Sequence, residues 1–252
     1  MSDRKVAIVT GATQGLGRLV GEELVRRGFA VVANARRRDP PGFGEQLYRA
    51  FDVADPGAVD RFVHETVARF HRVDLLVNNA GFANPSTPLS ATDDEVLARC
   101  VATNLLGPAA FMKRVLPQMA SQADGGLVLN IASRAGITPI PGLAAYSASK
   151  SALVSFTLAA AKEYPGGKVL CLALCPAGMN TEMRAKVYGA EDAATSMDPR
   201  RVRDVVMELA TQRTVDGASP PTGSAVLIDP EGRSTVLVWP NDTRGFPSLR
   251  FG

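Results

Sequence analysis

Seven short apolar runs recur along the chain: KVAIVT (5–10), AVVANA (30–35), LYRAFD (47–52), DLLVNN (74–79), GLVLNIAS (126–133), KVLCLAL (168–174) and SAVLID (224–229). They are rich in Val, Ile and Leu and lack strict polar alternation, the pattern of strands covered on both faces. Helical periodicity falls between most of them, over 15–28, 56–70, 93–119, 144–164 and 199–211. Strand–helix alternation predicts an α/β fold: a doubly wound parallel sheet of seven strands, with helices on both faces in three layers. No repeat or linker interrupts it, so residues 1–252 read as one domain with a core of about 5–229. Residues 182–198 have mixed composition and are expected to form a substrate loop. The tail, 230–252, carries one more apolar run, STVLVW, which reads as an extra edge strand or a packing arm.

Composition removes several classes of function. The 28 Lys and Arg are scattered except for Arg36-Arg37-Arg38, which gives no stripe for nucleic acid. No apolar run has the length of a membrane span. The opening MSDRKVAIVTG enters a strand pattern at once and leaves no room for a signal peptide, so a cytoplasmic location is expected. Cys100, Cys171 and Cys175 form no disulfide framework. With only His64 and His71 beside them, no metal site is expected. A Ser-His-Asp hydrolase is also poorly supported.

The first run leads into TGATQGLG and directly on to a helix. Gly11, Gly15 and Gly17 suit a backbone that turns sharply and approaches a pyrophosphate at a helix N-terminus. Thr13, Gln14 and Leu16 complete the loop. The spacing is G-x-x-x-G-x-G, and no Gly-Lys-Ser/Thr marks a P-loop. The end of the second strand should then set the cofactor. An acidic residue there would take a ribose 2′-hydroxyl, whereas arginine accommodates a 2′-phosphate. The sequence reads Ala35 followed by Arg36 and Arg37, so NADP(H) is expected over NAD(H). Asp52 is placed to accept from an adenine amino group, or alternatively to cap the next helix.

Tyr146 and Lys150 stand at i and i+4 in AAYSASKSALV. On a helix their Cβ atoms would be about 5–6 Å apart on one face. An ammonium so close would lower the tyrosine pKa and prepare an acid/base. Alone, the pair is better read as an ordinary helix surface, and the rest of the chain has to supply the context.

The ordered set TGATQGLG, Asp52-Val53, NNAG (78–81), Asn104, Ser133, Tyr146-x-x-x-Lys150, CPAGMNT (175–181) and TGSAVLID (222–229) resembles the short-chain dehydrogenase/reductase family. The resemblance runs from residue 5 to about 229 and implies a Rossmann-type fold. It implies Tyr146 as acid/base, with Lys150 lowering its pKa and holding the nicotinamide ribose. It implies Ser133 on the substrate carbonyl and Asn104 in a water relay to Lys150. Asn79, Ala80 and Gly81 would line the adenosine side; Met179 and Thr181 would meet the nicotinamide carboxamide, beside Pro176 and Gly178. One departure stands out: the usual Pro-Gly is Pro176-Ala177, with Gly178 one place later.

The function expected from this resemblance is NADPH-dependent reduction of a ketone or aldehyde, reversible in principle. The substrate cleft should come from 82–97, 134–143 and 182–198, with Ile137, Ile140, Leu143, Met183 and Tyr188 making it apolar. The expected substrate is therefore a small, hydrophobic or aromatic carbonyl compound. A homo-oligomer, dimer or tetramer, is expected through the helices carrying Asn104 and Tyr146. Two other classes stand beside this reading: a non-catalytic NADP(H)-binding regulator, and a dehydratase or epimerase with a held cofactor.

Overall fold

Every apolar run becomes a strand, and all but the third, which lies at the sheet edge and is half exposed, are buried on both faces. The computed structural model describes residues 4–238. The strands are β1 (Val6–Thr10), β2 (Ala30–Ala35), β3 (Leu47–Ala50), β4 (Leu75–Asn78), β5 (Gly126–Ile131), β6 (Val169–Pro176), β7 (Ser224–Ile228) and β8 (Ser234–Val238). They form one sheet in the order β3-β2-β1-β4-β5-β6-β7-β8. The first seven in that order pair in parallel, and β8 pairs antiparallel with β7. The expectation of seven strands is thus corrected to eight. A tight turn around Gly232 sends STVLV straight back along the edge, and no crossover helix is needed. Trp239 and the rest of the tail lie outside the described residues.

The helices are α1 (Gly15–Arg26), α2 (Pro56–Phe70), α3 (Asp94–Val101), α4 (Gly107–Ser121), α5 (Ala144–Lys162), α6 (Glu182–Tyr188), α7 (Ala190–Thr195) and α8 (Pro199–Gln212). On one face of the sheet, Leu16, Val20 and Leu24 of α1 and Val202, Val206 and Leu209 of α8 cover Ala7, Val9, Val31 and Val77. On the other, Phe62 of α2 and Phe111 and Val115 of α4 cover Ile8, Val32, Leu76 and Val128. Alternate residues of a strand therefore feed opposite cores, which is why these runs carry almost no polar positions.

Two local features position the site. The helix expected over 93–119 is continuous but widens into a π-helical turn at Ala102–Leu106, the only such turn among the described residues, with Asn104 buried inside it. Such turns insert a residue and re-aim a side chain, often at functional sites. The segment 182–198, expected as a loop, folds into α6 and α7. The Thr181 hydroxyl starts α6 by accepting from Arg184 N at 3.3 Å.

Candidate active site

The chain runs β1 to β3 outward on one side, then crosses to place β4 beside β1. In such sheets a crevice opens beyond the carboxyl ends of the strands where the order reverses. The expected site residues gather there.

The glycine loop leaves β1 with φ of +65° at Gly11 and +53° at Gly15, values that favour glycine. A Cβ at Gly17 would overlap both the Asn79 amide and the Gly11 carbonyl, so α1 can start this close to the sheet only with glycine. The Asn79 amide donates to the carbonyls of Thr10 and Gly11 at 2.9 and 3.3 Å. Thr10 Oγ1 accepts from the backbone N–H groups of Asn79 and Ala80, both at 3.0 Å. Asn79 thus braces the loop. Thr10 was not singled out in the sequence, and a buried threonine ending the first strand was the only signal for it.

Tyr146 and Lys150 lie on one face of α5. Lys150 is buried, and its ammonium donates to the Ile131 carbonyl at 2.7 Å and lies 5.9 Å from the Tyr146 ring centre. Ser133 stands two residues beyond β5 and caps the turn that follows, its hydroxyl accepting from Ala135 N at 3.1 Å. Ser133 and Tyr146 line the same cavity, and the Ser133 side chain acts on the Tyr146 hydroxyl to favour its ionised form.

The electrostatics correct one expectation. Desolvation pushes the Tyr146 hydroxyl above the ordinary tyrosine value, and the influence of the Ser133 side chain only partly opposes it. Lys150 is itself desolvated and falls to about 8. The protein alone therefore does not lower the tyrosine pKa.

Asn104 also differs from expectation. Its Oδ1 accepts from Phe82 N at 2.8 Å, and its Nδ2 donates to Phe82 O at 2.8 Å and Ser149 Oγ at 2.9 Å. Ser149 in turn donates to the Tyr146 carbonyl at 2.8 Å. The amide is thus committed to holding the NNAG segment against α5, and a water relay would have to use another part of the residue. Ser149 is a member of this brace.

Two cavities meet at Tyr146. The smaller, about 160 Å³, is lined by the loop residues Gly11, Gln14, Gly15 and Leu16, by Asn79, Ala80 and Gly81, and by Lys150. The larger, about 480 Å³, has Ser133 in its wall with Ile140, Leu143, Met183 and Tyr188. Tyr146, Met179 and Thr181 line both. Pro176 and Gly178 line the larger. Ala177, in the usual glycine's place, is buried and extends the sheet by donating to Ile228 O at 2.8 Å.

Other expected residues lie elsewhere. Ile137 packs under α5 against the core and not in the cleft. From 82–97 only Ala83 reaches the larger cavity. Thr13 is half-buried and lines neither cavity, and Val53 is buried against Gly107. Asp52 is exposed outside both cavities and accepts from Ala54 N at 3.0 Å, while Asp55 caps α2. Arg36 and Arg37 are exposed just beyond β2, beside the glycine loop, which is tied to the end of β2 by Ala12 N and Asn34 O at 3.0 Å. Arg37 donates to Gln14 at 3.0 Å and stands 4.0 Å from Glu182. The larger cavity is also less apolar than expected, because Arg184 and Asp192 line it as an ion pair.

Comparison with known proteins shows what the chain as a whole is similar to. The profile of the short chain dehydrogenase family matches residues 5–192. The 2-(R)-hydroxypropyl-CoM dehydrogenase of Xanthobacter autotrophicus is 30% identical over 244 residues, covering 92% of this chain and 94% of that protein. A 3beta-hydroxysteroid dehydrogenase of Mediterraneibacter gnavus is 29% identical, over 95% of this chain and 89% of its own. The crystal structure of a 3-ketoacyl-(acyl-carrier-protein) reductase from Brucella melitensis, complexed with NADH, is 29% identical. It superposes with a TM-score of 0.79 over 89% of this chain and 96% of that one. Among the described residues no helix is long and apolar enough to cross a membrane.

Proposed function

This chain belongs to the short-chain dehydrogenase family, and from that membership we propose that it is an NADPH-dependent oxidoreductase reducing a ketone or aldehyde to the alcohol, reversibly. The observation that carries the reading is the place of Tyr146, on the wall shared by a cavity lined by the glycine loop and a cavity containing Ser133. The residues suit a nicotinamide dinucleotide. The two positive-φ glycines and the forced Gly17 clear a backbone approach, and Lys150 lies on the same cavity. When bound, the cofactor supplies or accepts the hydride.

The chain's own residues handle the oxygen. Ser133 and Tyr146 donate hydrogen bonds to the carbonyl oxygen as negative charge builds on it. Tyr146 then gives its proton to that oxygen and is left as phenolate. The Lys150 ammonium stabilises the phenolate, which is reprotonated from solvent. Because burial raises the Tyr146 pKa, the proton is held until a partner for it arrives. In the oxidative direction the same groups remove the proton.

Arg36 and Arg37 support the preference for NADPH, since no carboxylate stands at the end of β2 to repel a 2′-phosphate. The apolar wall of Ile140, Leu143 and Met183 supports a hydrophobic carbonyl substrate. The reading includes a cytoplasmic location and a homo-oligomer, dimer or tetramer, built on the helices that carry Asn104 and Tyr146. Exposed Val101 and Leu106 on that helical run support the assembly.

The test is NADPH and NADH oxidation across a ketone panel. Tyr146→Phe should lose about 10²–10⁴ in kcat, and Arg36→Ala should lower the NADPH-to-NADH ratio of kcat/KM. A Phe variant as active as wild type would overturn the mechanism. An NADH preference untouched by Arg36→Ala would overturn the cofactor assignment.

A further inference from the structure

One wall of the larger cavity has no part in the reaction described. Arg184, on α6, lines it with a guanidinium held from three elements. Nε and Nη2 face the two carboxylate oxygens of Asp192, on α7, at 2.6 and 3.1 Å. The guanidinium carbon lies 4.8 Å from the centre of the Tyr188 ring. Nη1 turns towards Gly178, where a Cβ would overlap it. Gly178 has no positive φ, so the backbone does not demand glycine there; the guanidinium does. The shift of glycine from 177 to 178 thus has a physical reason. Ala177 continues the pairing of β6 with β7, and position 178 must be bare to admit Arg184.

The hydrogen bonds of Arg184 to described residues run from its backbone N to Thr181 and from Nη2 to Asp192. Nη1 keeps two donors without a protein acceptor among those residues. We propose that Arg184 and Asp192 form a specificity site in which Nη1 binds a second, uncharged acceptor oxygen of the substrate, and that the pair turns away substrates carrying a carboxylate there. An ester, lactone or second ketone brings an acceptor without charge. A carboxylate would meet a cation already neutralised, beside the Asp192 carboxylate, and would lose its hydration. A monoketone would bring Nη1 no acceptor and would gain nothing from it beyond what water supplies, so it loses the bond that a second acceptor oxygen makes. This inference rests on the carbonyl-reductase reading above.

Three probes separate the outcomes: cyclohexanone, methyl 4-oxocyclohexanecarboxylate and 4-oxocyclohexanecarboxylate, each with NADPH. Wild type should favour the keto ester over both others by about 10-fold or more in kcat/KM. Arg184→Met should bring the ester and cyclohexanone within about 2-fold. Asp192→Asn should raise the keto acid relative to the ester by about 10-fold or more. Gly178→Ala, which displaces the guanidinium while keeping it in the chain, should act in the same direction as Arg184→Met and serves if that variant does not fold. An ester preference that survives loss or displacement of Arg184 overturns the proposal, as does an acid-to-ester ratio unmoved by Asp192→Asn. A second readout needs no turnover: the thermal shift that methyl cyclohexanecarboxylate gives the NADPH-saturated protein. If wild type reduces no ketone, the functional reading fails, and the site is judged on this shift alone. No shift in wild type, or an equal one in Arg184→Met, overturns it.

Discussion

Replacing Lys150 by Met should stabilise the protein at neutral pH while removing a group the proposed reaction needs. Lys150 is 4% exposed, and burial lowers its pKa from 10.5 to about 8. A difference of about 2.5 at about 1.4 kcal/mol each makes the buried ammonium cost about 3 kcal/mol. Methionine retains the apolar stem but leaves the Ile131 carbonyl without its donor, which returns about 1–2 kcal/mol. The net gain at pH 7 is about 1–2 kcal/mol. The pH dependence tests the cause. Below pH about 8 the lysine is protonated both folded and unfolded, and the whole penalty is present. Between about 8 and 10.5 the unfolded chain binds a proton that the folded chain has released, so wild-type stability rises with pH. Methionine has nothing to titrate. The advantage of the variant should therefore shrink by about 2 kcal/mol between pH 7 and pH 9.5. Urea unfolding without cofactor, followed by far-UV circular dichroism at half-unit steps, measures it. A difference between the two proteins that stays flat or widens with pH would refute burial as the control on the Lys150 charge.

Other perturbations follow from the same geometry. Gly17→Ala should destabilise by about 1–3 kcal/mol, because its methyl meets the Asn79 amide and the Gly11 carbonyl, and it should weaken NADPH binding in a fluorescence titration. Unchanged melting and binding would show that the loop has slack. Asn104→Ala should cost about 1–3 kcal/mol by freeing the Phe82 backbone and Ser149, an effect visible in thermal unfolding without cofactor. Leu106→Lys, on an exposed position of the same helical run, should shift sedimentation towards a smaller species without lowering the stability of the subunit. An unchanged sedimentation coefficient would place any assembly elsewhere.

Much of the fold was legible because its signals are local. A strand buried on both faces needs apolar residues at successive positions, so β1, β2, β4, β5 and β6 announce themselves whatever their neighbours. The loop glycines were legible for a similar reason: two adopt positive φ, and the third lies where a side chain would strike Asn79. The spacing of Tyr146 and Lys150 is a property of one helix and was readable as such. STVLVW read as an edge strand or a packing arm, and the edge left open by β7, which no window of sequence contains, decided for the antiparallel strand β8.

Within the site, the sequence by itself determined which groups stand on one helix face and which loop can bend back on a strand. The tertiary structure decided their charge and their company. It buried Lys150 and half-buried Tyr146 between two cavities, so that desolvation is the largest influence on the charge of each. It turned Asn104 inward through a π-helical turn and spent its amide on Phe82 and Ser149. It also brought Arg184, Asp192 and Gly178 together from a segment whose composition signalled no order. Hydrophobic periodicity is encoded locally, whereas burial and ionic pairing are set by what other elements deliver to the same point, and these fix the chemistry of the cavity.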